Sequence, residues 1–217
     1  MAITQRRQRE REERRAQILE AARTVFLKKG FLLSTMGQVA AEAELSKGTL
    51  YLYFKSKDDL FVAIGAEVTA EIGGRFQIAL DRNYDGLETV VAMMQSYADF
   101  AMENPLHFRN AAVWLASGHA VDTEAPNYAQ YREGIATINE RMVAGIERGH
   151  ADNTIHSNLD AMQTASQIWA GLFGVCIMRV NSEELARRMP HAPDFTTLVS
   201  GYINIIRAGL AGGRISE

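Results

Sequence analysis

Apolar residues along this 217-residue chain recur three and four positions apart, the spacing of a helix face, and no convincing run alternates with a strand's period of two. The first stripe is Ile18, Leu19, Ala22, Val25 and Phe26, in a helix expected to begin within a charged run near Gln8 and to stop at Gly30. Two short helices follow. Ser34 or Thr35 can cap one, with Met36, Val39, Ala40 and Ala43 inside; Ser46 can cap the next, with Leu50 and Phe54 facing inward. The intervening Ala43-Glu44-Leu45-Ser46 has room only for a tight turn. Two short helices so joined, on a longer first helix, make a helix-turn-helix head.

A long fourth helix comes next, capped by Ser56, with Asp58 and Asp59 in the first turn, where the helix dipole favours carboxylates. Leu60, Phe61, Ile64 and Val68 keep its period, Gly73-Gly74 is expected to loosen it, and Asn83-Tyr84-Asp85-Gly86 to end the segment. Further helices are predicted over about 87–103, 105–118, 125–148, 159–180 and 194–210, with Pro105, Pro126, Pro190 and Pro193 as punctuation. The expected fold is all-α with about nine helices: a helix-turn-helix head, residues 1–57, and a ligand-sensing and dimerisation body, residues 58–217.

Charge divides along the same line. Residues 1–57 hold 12 Lys and Arg against 6 Asp and Glu, a net of +6, while residues 58–217 hold 11 against 20, a net of −9. A basic head on an acidic body directs the head, and not the body, toward a polyanion. The arginine-rich start, Gln5–Arg15, is open to two readings: an arm touching phosphate, or a solvated helix held by Glu–Arg pairs worth ~0.2–0.5 kcal/mol each. The interleaved Glu10, Glu12 and Glu13 favour the second.

The single cysteine, Cys176, excludes an intrachain disulfide and a multi-cysteine metal site and fits a reducing cytoplasm. The basic N-terminus lacks the apolar run of a secretory signal. Ala161–Met178 carries no formal charge, but Gln163, Thr164, Ser166 and Gln167 interrupt it. It falls short of the roughly 20 predominantly apolar residues a membrane span needs. A helix buried against other protein is expected there, and no membrane partner.

The informative segment is Thr35–Asp59. With Leu50 and Phe54 committed to the core, Lys47, Thr49, Tyr51 and Tyr53 remain off the buried face, beside Gly48. Glycine costs about 1 kcal/mol against alanine within a helix, and close approach to DNA is a sufficient reason for it. Lysine can donate to guanine O6 and N7, and a threonine methyl can meet the thymine methyl. Thr35, Tyr51, Tyr53 and Lys57 have the hydroxyls and the ammonium suited to phosphate oxygens.

The head resembles that of the TetR family of bacterial transcriptional regulators, through Ile18–Phe31 and Thr35–Leu60, and above all through the pattern S-K-G-T-L-Y-x-Y-F-x-S-K-D-x-L at Ser46–Leu60. Weaker resemblances lie at Gly145–Asp160, like the family's turn between its seventh and eighth helices, and at Asn204–Leu210, like the end of its last helix. The resemblance implies a three-helix head on a body of about six helices, dimerising through the last two, with repression as the default. It also implies that Lys47, Gly48 and Thr49 face base edges while Thr35, Tyr51, Tyr53 and Lys57 contact phosphates. Leu52 falls at a variable position and offers at most a methyl contact.

In the body, Met and aromatic residues at helical spacing are mostly core, yet a Met-lined cavity between helices also suits an apolar ligand. Tyr97, His107 and Trp114 are the candidate ligand residues, since each joins an apolar body to a polar tip. The expected dimer interface packs the helix around Ala161–Met178 with Phe195–Leu210. Gly171 and Gly174 would permit close approach there, and Trp169, Leu172, Phe173, Ile205, Ile206 and Leu210 would bury apolar area.

The five histidines lack zinc-site spacing, so neither a metal nor another cofactor is expected. P-loop, GxGxxG, GxSxG and HExxH patterns are all missing, so no catalytic residues are assigned and an enzyme is not the expected class. The expectation is a homodimeric regulator, released from a pseudo-palindromic double-stranded DNA operator by a small apolar or amphipathic effector, with the fourth helix as lever. A DNA-binding scaffold or nucleoid-associated factor without an effector is the competing expectation.

Overall fold

The computed structural model describes residues 2–116, 123–180, 187, 191 and 193–211. Among them regular structure is entirely helical: α1 (Ala2–Lys29), α2 (Met36–Glu42), α3 (Lys47–Tyr51), α4 (Lys57–Asp81), α5 (Gly86–Glu103), α6 (Pro105–Ala116), α7 (Pro126–Ala151), α8 (Ala161–Val180) and α9 (Phe195–Leu210). The expected boundary proline Pro190 lies outside the described residues.

Helix α1 begins earlier than its apolar stripe suggests. Ion pairing of Arg6 with Glu10 (2.8 Å) and a hydrogen bond from Gln8 to Glu12 (2.7 Å) sustain turns that have no core to pack on. It ends as expected. Gly30 takes φ +76°, a conformation that costs glycine nothing, and its N–H reaches Phe26 O at 2.9 Å. Thr35 caps α2 in a reciprocal capping box with Gln38, and the Ser34 hydroxyl donates instead to Gly30 O at 2.6 Å.

The expected loosening at Gly73-Gly74 does not occur: α4 runs unbroken from Lys57 to Asp81. The bare Gly73 surface is occupied by α7, where a Cβ would come within 2.8 Å of an Arg141 guanidinium nitrogen. Packing there outweighs poor intrinsic propensity.

The chain forms two compact units, Met1–Val68 with Asn110–Glu133, and Thr69–Arg109 with Gly134–Glu217. In the first, Ile18, Leu19, Phe31, Leu50, Phe54 and Leu60 are fully buried, and Phe61 stands 5.2 Å from Trp114 between ring centroids. In the second, Tyr97, Phe100 and Phe108 are buried with edge-on ring contacts, and α8 packs on α9. There Tyr202 lies over Gly171 and its hydroxyl donates to Ile168 O at 3.4 Å. No helix among the described residues is long and apolar enough to cross a membrane.

Candidate nucleic-acid interface

Helix α3 exists because Ser46 starts it and two residues anchor it. The Ser46 hydroxyl oxygen accepts the Thr49 N–H at 3.0 Å, while Leu50 and Phe54 are completely buried beneath. The preceding turn puts Glu44 at φ +55° and is braced from α1, where Gln17 donates to Ala43 O at 2.9 Å. With its inner face fixed, α3 turns Lys47, Gly48 and Tyr51 outward, and Leu52 beyond it is 79% exposed. Thr49 and Tyr53 are half-buried at the rim. The Thr49 hydroxyl lies 2.9 Å from that of Ser46.

The remaining two expected DNA contacts have structural partners as well. Thr35 is exposed, and its oxygen accepts the Gln38 N–H at 3.3 Å, leaving the hydroxyl proton available to an acceptor. Lys57 is more deeply engaged. Its ammonium donates to Phe31 O (2.8 Å) and Leu32 O (3.2 Å) and stands 4.4 Å over the Phe31 ring. Burial lowers its pKa from the ordinary lysine value, partly offset by neighbouring Asp58. Two of its three protons are thus directed at backbone carbonyls of the α1–α2 turn. All seven positions lie in the first unit.

Two contributors had faint or no signals in the sequence. Gly37 of α2 makes room for the Lys47 side chain: a Cβ there would meet Lys47 Cε at 2.8 Å and Nζ at 3.2 Å, whereas one on Gly48 would meet Ser46 Oγ, at 3.7 Å, so the outer surface at Gly48 stays open. A glycine inside a predicted helix was the available clue. Asn127 donates to buried Asp59 at 2.7 Å while Asp59 also accepts the Lys55 N–H at 3.0 Å, fixing the α3–α4 connection. Nothing local foretells a partner that distant in the chain.

The three candidate ligand residues divide between the two units. Tyr97 and His107 share an aromatic cluster with Phe100 and Phe108 in the second unit, and Trp114 belongs to the buried core of the first. The expected interface residues also divide. Trp169 is 48% exposed and stacks on half-buried Phe173, Ile205 is 70% exposed and Ile206 half-buried, whereas Leu172 and Leu210 point into their own chain. Gly171 is filled by Tyr202, and Gly174 is open.

Residues 18–64 match the family described as bacterial regulatory proteins, tetR family. The uncharacterized HTH-type transcriptional regulator YfiR of Bacillus subtilis is 42% identical over 89 residues, a segment that is 41% of this chain and 41% of that protein. The chain therefore covers less than half the length of this curated relative. Over nearly the full length the likeness is one of fold. The transcriptional regulator FadR from Bacillus subtilis, solved in complex with stearoyl-CoA, matches with a TM-score of 0.69 at 17% identity, over 90% of this chain and 98% of that one. A bacterial regulatory protein in the tetR family from Rhodococcus RHA1 matches with a TM-score of 0.67 at 20% identity, over 92% and 98%. Motif, helix order and shared fold agree: residues 18–64 carry the signature of the tetR family of bacterial regulatory proteins, and over nearly its full length the chain has the fold of a solved member.

Proposed function

We infer that the protein is a dimeric, sequence-specific DNA-binding transcriptional regulator of the cytoplasm, a repressor released by a small apolar or amphipathic effector. The observation that carries this reading is the division of α3 and the turn after it: Leu50 and Phe54 entirely inside, with Lys47, Gly48 and Tyr51 outside on a helix tip. Such a tip fits the major groove, with Lys47 and Thr49 reaching base edges while Thr35, Tyr51, Tyr53 and Lys57 hold phosphates. Two copies related by a dyad read a pseudo-palindrome with half-sites about one helical turn, ~34–36 Å, apart.

The face of α8 and α9 that no other described residue covers supports the dimer. Trp169 and Ile205 are apolar and exposed, flanked by Phe173 and Ile206, with Leu172 and Leu210 behind them. Tyr97 and His107 are the residues proposed to meet the effector, in the aromatic cluster of the second unit. That a protein of the same fold is solved with stearoyl-CoA, an amphipathic molecule, supports that ligand class. Release requires the effector to bind one body conformation better than another, by typically ~1–3 kcal/mol.

Genomic footprinting with the purified protein tests the reading. Discrete protected sites with dyad symmetry, weakened by Lys47→Ala, are expected; uniform binding indifferent to that substitution would overturn it. A thermal-shift screen that includes long-chain acyl-CoA probes, followed by operator release, tests the effector. Stabilisation without release would favour a scaffold.

A further inference from the structure

We propose that the N-terminal overhang of α1 is a second, sequence-independent DNA-binding surface, on which Arg7, Arg11 and Arg14 meet phosphates flanking the half-site that α3 reads. This rests on the DNA-binding reading of the head and extends it to a surface outside the helix-turn-helix.

The core face of α1 begins at Ile18, and the described side chains before Arg15 are all exposed. Arg14, Arg11 and Arg7 stand four, seven and eleven residues ahead of Ile18, the spacing that continues the same helix face past the end of the core. Where the stripe is apolar it is covered by protein; where it is cationic nothing in the described chain covers it. The acidic residues do not neutralise it. Glu10, at its flank, is taken by Arg6 at 2.8 Å, and Glu12 accepts from Gln8 at 2.7 Å. Glu13 lies about 130° round the helix from the stripe at ~100° per residue. Arg14 donates to Gln17 at 2.8 Å, a neutral partner that orients the guanidinium and leaves its charge intact.

Position selects the partner. The next turn of α1 touches both ends of the α3 region: Gln17 donates to Ala43 O ahead of it, and the Arg15 guanidinium stands 5.5 Å over the Phe54 ring behind it. The stripe therefore starts at the margin of the proposed recognition surface. It runs about 10 Å from Arg14 to Arg7, at 1.5 Å per residue, or roughly three base-pair steps of duplex. A lipid surface is disfavoured because Thr4–Arg15 contains no apolar residue to insert. Arginine on exposed helix turns is suited to phosphate oxygens, which position a protein without specifying sequence.

The test uses the full chain and a labelled duplex of mixed sequence, with affinity measured across a salt series. Wild type is compared with a triple variant, Arg7→Gln, Arg11→Gln and Arg14→Gln, and with its charge-retaining counterpart, Arg7→Lys, Arg11→Lys and Arg14→Lys. The glutamine variant is expected to flatten the slope of log affinity against log salt by about 0.9 per lost phosphate contact, up to about 2.7 per chain, while the lysine variant keeps most of it. A wild-type slope in the glutamine variant would overturn the proposal and assign the stripe to some other acidic partner. Equal loss in both variants would overturn it too, since helix geometry and not charge would then be responsible. Failure of the wild type to bind duplex at all would instead sink the underlying reading of the head.

Discussion

The end of the Lys47 side chain lies over Gly37, so close that a Cβ on Gly37 would stand 2.8 Å from Lys47 Cε. The atom that must yield is the far end of a flexible side chain, and alanine is the better helix former by about 1 kcal/mol. Gly37→Ala is therefore expected to leave melting temperature unchanged or raised, while displacing the Lys47 ammonium. Competition binding on operator variants should show a shifted base preference at the position that Lys47→Ala also alters. An unchanged preference would mean that Gly37 does not place the lysine.

Lys57 links two roles that substitution can separate. Its ammonium satisfies the Phe31 and Leu32 carbonyls and covers the Phe31 ring, so Lys57→Ala should cost about 1 kcal/mol of stability, reduced from the usual charged-bond value by solvent screening. If the remaining proton also meets a phosphate, affinity for all duplexes falls and the salt slope flattens by about 0.9 per contact. Chemical denaturation and salt titration of the same variant separate the effects. A stability loss with an untouched slope would confine Lys57 to the turn.

Gly86 and Gly149 meet backbone to backbone. A Cβ on Gly86 would stand 1.9 Å from Gly149 N, with no flexible atom to give way, whereas one on Gly149 would meet Ile155 side-chain atoms at 2.5 Å. Gly86→Ala should therefore destabilise by about 1–3 kcal/mol or more, and Gly149→Ala by less. Denaturation midpoints of the two variants give the order, and a reversed order would contradict this packing.

Asp152 accepts the Thr154 hydroxyl and N–H and the Gly86 N–H, and these bonds, the Thr154 hydroxyl foremost, hold its carboxyl below the ordinary aspartate value. A depressed folded pKa contributes stability above the unfolded value near 3.8 and loses it as pH falls through the folded one. Asp152→Asn should therefore lower stability at neutral pH and shrink the difference from wild type in strong acid. A difference independent of pH would exclude the carboxylate as its source.

Cys176 is 1% exposed and burial pushes its thiol up to about 12. Only the thiolate is the nucleophile. At pH 8 the native protein should resist iodoacetamide and the denatured protein react fully. Alkylation of native protein at a free-thiol rate would contradict that burial.

Ile18, Leu50 and Phe54 announced themselves as core because helical period and caps are local properties, and the head's elements follow one another within about 60 residues. The same locality made Ser46, Thr35 and Gly30 legible as helix ends. Period identifies a face without saying what it meets. That limit explains the two units: Trp114 joins Phe61, Leu172 turns inward while Trp169 and Ile205 turn out, and α4 survives Gly73-Gly74 under Arg141. Asn127 on Asp59 and Gly37 beneath Lys47 belong to the same class. Each depends on which side chains arrive from elsewhere in the chain, and that is set by the packing of helices, whose contacts leave no periodic trace in the residues between them.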